Sequence, residues 1–107
     1  MAKEELLKII DDYRLELEKQ ISVKKIILYG SFAYGLPRAG SDIDLVVISP
    51  DFKKFKPLER LEFLSLATRK GRAPIEALGY TPEEFDKAQE HIFLDYIAQK
   101  GSVIYGN

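Results

Sequence analysis

Apolar positions recur along this chain in two rhythms, one helical and one extended, and their alternation divides it into elements. Leu6, Ile10, Tyr13, Leu17 and Ile21 fall at helical spacing, with Lys3, Glu4, Asp12, Glu16 and Lys19 on the other side. That pattern predicts an amphipathic helix over residues 2–20 lying on a sheet. Residues 23–29 form a short apolar run rich in β-branched side chains, with Lys24 and Lys25 near its start and Gly30 at its end, which predicts a buried strand. Ser31 can cap a short helix reaching Tyr34, ended by Gly35 and Pro37, and a loop over 36–41 follows. Residues 42–48 read as a second strand, apolar on both faces beyond two aspartates and therefore central.

Ser49, Pro50 and Asp51 end that strand, and a basic, aromatic connection over 52–57 leads into a helix over 57–70. Its expected inner stripe is Leu58, Leu61, Leu64 and Thr68, and Arg69, Lys70, Gly71 and Arg72 suit its C-terminus. A third strand over 73–80 carries Glu76. Thr81, Pro82 and Glu84 then supply an N-cap, a first-turn proline and a capping box. The helix they open is expected to place Phe85, Ala88, Ile92 and Tyr96 on one face and to run to Lys100, where Gly101 stops it. Residues 102–105 add a short last strand. This order predicts an α+β fold, a small mixed sheet covered by helices.

Composition narrows the reading. A chain of 107 residues suits one domain, 1–107, with a modest core. Sixteen basic against 17 acidic side chains leave a net charge of −1, so no strong overall field draws the protein to nucleic acid or a membrane. Direct nucleic-acid binding is therefore not expected. The absence of cysteine excludes a disulfide framework and a thiolate metal site. No apolar run approaches the ~20 residues of a membrane span, and the charged start lacks a signal-peptide core, so a cytoplasmic location is expected.

The chemistry concentrates around Gly30-Ser31 and Asp42-Ile43-Asp44. On a strand, residues two apart project to one face, so Asp42 and Asp44 would present their carboxylates together while Ile43 points to the other side. Two such carboxylates repel unless a cation lies between them, and Mg²⁺ or Mn²⁺ favours oxygen ligands completed by phosphate oxygens and water. Glycine followed by serine supplies the complementary half, a close backbone approach and hydrogen-bond donors for phosphate. The pairing points to metal-assisted phosphoryl chemistry. A P-loop is excluded because Gly-X4-Gly-Lys-Ser/Thr is absent.

In these residues the chain resembles the minimal members of the nucleotidyltransferase superfamily related to DNA polymerase β. Their motif is Gly-Ser, ten intervening residues, then Asp-X-Asp. Here Gly30-Ser31 is followed by residues 32–41 and then by Asp42-Ile43-Asp44. The resemblance extends through Ala33 and Gly35 of the turn and the apolar strand after the aspartates. It implies transfer of NMP, AMP from ATP, to a hydroxyl, with Asp42, Asp44 and Glu76 as catalytic residues and metal ligands. Glu76 stands where the family usually has a third Asp. Gly30, Ser31 and Arg38 are implied nucleotide contacts. Minimal members commonly pair with a small helical HEPN-type toxin, and some act as antitoxins by adenylylating a tyrosine on it. The competing reading is a non-catalytic antitoxin subunit that keeps the fold for binding alone. Homo-oligomerisation stays open. Lys53, Lys54 and Lys56 are read as solvated, His91 as surface or structural, and Tyr80, Phe93 and Tyr96 as core or partner-facing.

Overall fold

A computed structural model describes residues 2–33, 35, 42–68 and 74–106. The elements follow the order α1 (Lys3–Leu17), β1 (Lys25–Tyr29), β2 (Ile43–Ile48), α2 (Pro57–Thr68), β3 (Ile75–Tyr80), α3 (Pro82–Asp86), α4 (Ile92–Lys100) and β4 (Ser102–Tyr105). The strands form one four-stranded sheet in the order β3-β2-β1-β4. β1 runs antiparallel to both β2 and β4, whereas β2 and β3 are parallel, so the sheet is mixed as expected. The helical connection through α2 is what allows a parallel pair, since such strands cannot be joined by a tight turn.

Helices cover both faces of the sheet. On one, Leu6, Ile10, Tyr13 and Leu17 of α1 and Leu64 of α2 pack with Ile26, Leu28, Ile43, Leu45 and Val47. On the other, Ile97 of α4 joins Ile27, Val46 and Ile48, with Tyr29, Tyr80, Phe85 and Phe93 around them. β2 is buried from both sides, as its unbroken apolar run after Asp44 predicts. The Tyr13 hydroxyl donates to the Leu64 carbonyl at 2.8 Å, so the buried phenol joining α1 to α2 keeps a partner.

Several elements differ from their sequence expectations. Residues 50–54 form a 3-10 turn rather than an open connection, with Ser49 capping it and Phe52 wholly buried. On α2, Leu58 and Leu61 are exposed, and the inward residues are Phe63, Leu64 and Ala67. Arg60 fixes that rotation. Its guanidinium donates to the Phe52 carbonyl at 3.1 Å, the Gly79 carbonyl at 3.2 Å and Glu84 Oε1 at 2.7 Å. These bonds draw the Arg60 face of the helix toward β3 and α3 and carry Leu58 and Leu61 outward.

The single helix expected after Thr81 is broken into α3, a short 3-10 turn over Ala88–Glu90, and α4. Its capping box is present: Thr81 Oγ1 accepts from the Glu84 N–H at 3.1 Å, and Glu84 Oε1 accepts from the Thr81 N–H at 2.7 Å. His91, in extended conformation, then restarts the helix by accepting the Leu94 N–H on Nδ1 at 3.3 Å. The restart shifts the helical phase, so Ala88 is buried while Ile92 and Tyr96 are exposed, and Leu94 and Ile97 face inward instead. His91 is thus structural. The Arg69–Arg72 closure lies outside the described residues. Among the described residues, no helix is long and apolar enough to cross a membrane.

Candidate functional site

The three strands β1, β2 and β3 each bring one part of the predicted motif to the same end of the sheet. Asp44 lies at the second position of β2, opposite Tyr29 of β1 and in register with Glu76 of β3. Residues in register on neighbouring strands share a face, so Tyr29, Asp44 and Glu76 form one row on the side covered by α4. Ile43, between the two aspartates, is fully buried on the opposite face. Asp42 lies immediately before the strand and is exposed, close enough for its charge to act on Asp44.

Asp44 is the electrostatic centre of the row. Partial burial, then the charges of Glu76 and Asp42, and finally a side-chain hydrogen bond with Glu76 all raise its pKa. Each of these acts against the ionised form of Asp44. Glu76 is exposed and stands at the open side of the pair. The expected grouping of Asp42, Asp44 and Glu76 is therefore seen as proximity. Among the described residues, no three His, Cys, Asp or Glu side chains converge tightly enough to hold an ion by themselves.

Gly30 connects the carboxylates to the turn. Its φ of +75° lies in the left-handed region, and an added Cβ would overlap the Asp44 carboxylate and stand 3.1 Å from its Cγ. Both the backbone conformation and the close approach require glycine. Ser31 begins a turn, not the expected short helix, which the Ala33 N–H closes by donating to the Gly30 carbonyl at 3.1 Å. Ser31 is half-buried beside this turn. Tyr34, and Arg38 with the rest of the 36–41 loop, lie outside the described residues.

Tyr29 was the neighbour that the motif alone did not assign. Its ring meets Phe93 of α4 edge-on, with centroids 5.5 Å apart and planes at 80°. Burial, followed by the charges of Asp44 and Glu76, pushes its hydroxyl up to about 12. The signal was present in the sequence: an apolar strand ending in Tyr-Gly must place its last side chain beside whatever strand pairs with it.

The chain is similar to known proteins in both sequence and fold. The family model for the nucleotidyltransferase domain matches residues 7–100. A Methanocaldococcus jannaschii chain assigned as a protein adenylyltransferase is 38% identical over 58 residues, covering 51% of this chain and 67% of that one. Among solved structures, a chain from Sulfolobus solfataricus assigned as a nucleotidyltransferase superposes with a TM-score of 0.59 at 22% identity, covering 76% of this chain and 71% of that one. A toxin–antitoxin structure with AMP-PNP gives a TM-score of 0.66 at 17% identity, over 91% of this chain and 73% of that one. An MntA–HpeT toxin–antitoxin mutant gives 0.56 at 13% identity, over 100% and 75% of the respective chains.

Proposed function

This chain belongs to the nucleotidyltransferase domain family, and we propose that it transfers AMP from ATP to a hydroxyl of a partner protein, a tyrosine on a small helical HEPN-type toxin. The observation that carries the reading is the in-register Asp44 and Glu76 pair with the Gly30 turn folded against Asp44. The M. jannaschii relative, by its name, supports protein as the acceptor, and the toxin–antitoxin neighbours support a protein partner.

The donor set fits a hard divalent cation. Asp42 and Asp44 offer oxygen ligands; burial, then the charges of Glu76 and Asp42, raise the Asp44 pKa, and a cation would offset that cost. Mg²⁺ is commonly held by one or two carboxylates with phosphate oxygens and waters completing the shell, so a converged protein triad is not required. Mg²⁺ or Mn²⁺, when bound, would neutralise charge on the phosphate oxygens and on the departing pyrophosphate. Asp42 and Asp44 would hold it, with Glu76 able to add a third oxygen. The Gly30 and Ser31 N–H groups and the Ser31 hydroxyl would hold the triphosphate, helped by Arg38.

Glu76 is the proposed general base. The acceptor oxygen attacks the α-phosphorus in line, its proton passes to Glu76, the bond to the β-phosphate oxygen breaks and pyrophosphate leaves. Its exposure at the rim of the row allows it to meet an acceptor arriving from outside. The test is incubation with a purified small helical HEPN-type protein that binds this chain, ATP and Mg²⁺, followed by intact mass. A gain of one or more AMP units on the partner is expected. Binding without a mass gain overturns transfer and leaves the non-catalytic antitoxin reading.

A further inference from the structure

Tyr29 and Glu76 belong to strands that are not neighbours, because β2 lies between them. Tyr29 is the cross-strand partner of Asp44 on β2, which is itself in register with Glu76 on β3, so the three side chains follow one another across the carboxylate face. Phe93 holds the ring from above, edge-on at 5.5 Å, and is itself 6.5 Å from the Tyr80 ring. The Asp44 carboxylate already lies against Gly30, and Asp44 is in register with Glu76.

Asp44 therefore has its carboxylate against Gly30, with Tyr29 in register on one side and Glu76 on the other. A carboxylate on a strand ordinarily chooses among staggered rotamers, and a ring at the directly opposite cross-strand position narrows the space on the α4 side. Resting on the transferase reading of Asp44 and Glu76, we propose that Tyr29 is a positioning residue whose ring, clamped by Phe93, walls the carboxylates off from α4. They are left to turn toward the Gly30 and Ser31 end, where the triphosphate would lie. The role belongs to the ring. An uncharged phenol at neutral pH adds no ionic contact that phenylalanine would lack.

The experiment compares Tyr29→Ala, Tyr29→Phe and Phe93→Leu by calorimetric titration of Mn²⁺ in the presence of ATP, and by steady-state transfer. Outer-shell partners of metal ligands are generally worth about 10–100-fold in affinity or activity. Tyr29→Ala is expected to weaken Mn²⁺ binding about tenfold and to lower kcat more than it raises KM for ATP. Tyr29→Phe restores both to within about threefold, and Phe93→Leu falls between. Wild-type Mn²⁺ affinity in Tyr29→Ala, or an equal loss in Tyr29→Phe, overturns the proposal. Should Tyr29→Ala fail to fold, unchanged Mn²⁺ binding in Phe93→Leu overturns it instead. If the wild-type protein binds Mn²⁺ and ATP but transfers nothing, the transferase reading fails while the Mn²⁺ comparison still decides Tyr29.

Discussion

At the residue scale, the site is a set of groups each unfavourable alone. Asp44 is partly buried beside Glu76 and Asp42, so its ionised form costs stability at neutral pH. Asp44→Asn should raise Tm in metal-free buffer by a few degrees, about 1–4 °C, while transfer falls below about 1% of wild type. Thermal melts and single-turnover assays on one preparation check both. Gly30→Ala meets two obstacles together, a φ of +75° and the Asp44 carboxylate in the path of its Cβ. It should lose about 1–3 kcal/mol in chemical denaturation, and more than the left-handed penalty alone predicts. A loss no larger than the left-handed penalty alone would show that the carboxylate swings clear without cost. The need for glycine and for two aspartates could be read directly from the motif. The wall formed by Tyr29 could not, since it depends on which strand pairs with which and on a helix arriving some sixty residues later.

At the element scale, periodicity identified the strands and helices, but tertiary contacts set the phase of two helices. α2 turns its Phe63, Leu64 and Ala67 face inward because Arg60 is tied to Phe52, Gly79 and Glu84, contacts no local pattern contains. The α3 and α4 pair was read as one helix because His91 has no strong breaking signal, whereas in the fold it is a cap. The capping box at Thr81 was legible because all its atoms lie within four residues. Glu84 serves that box and the Arg60 ion pair together. Burial by itself would raise its pKa, but the Thr81 N–H and the Arg60 guanidinium outweigh it and hold it below the ordinary glutamate value. A depressed carboxylate contributes stability above its unfolded pKa, near 4.3, and loses it as pH falls through the folded value. Glu84→Gln keeps the neutral capping geometry but loses the charge, so it should cost about 0.5–1 kcal/mol at pH 7, discounted for partial exposure. The gap in Tm from wild type should close as pH drops below about 4. A gap that stays constant through that range would remove Glu84 from the charge account.

At the scale of the whole molecule, the site exists only when the sheet does. β1 supplies Tyr29 and leads into Gly30, β2 supplies Asp44 and β3 supplies Glu76, so nothing short of the folded order β3-β2-β1 assembles the row. Anything that binds the row therefore stabilises the entire chain by mass action, because the unfolded chain has no equivalent site. Cation and nucleotide should also act together: Asp44 and Asp42 hold the cation poorly without phosphate oxygens to complete its shell, and the triphosphate is repelled by the carboxylates without the cation. Mg²⁺ with ATP at about 100 times the dissociation constant should add about 2.7 kcal/mol, which in a domain of this size raises Tm by roughly 10–20 °C. Mg²⁺ alone and ATP alone should each give only a small part of that rise. Asp44→Asn should begin from a higher Tm without ligand and gain little from the mixture, so the two melting curves cross as Mg²⁺ and ATP are titrated. Equal ligand-induced shifts in wild type and Asp44→Asn would place nucleotide binding away from the carboxylate row and overturn the assignment of the site.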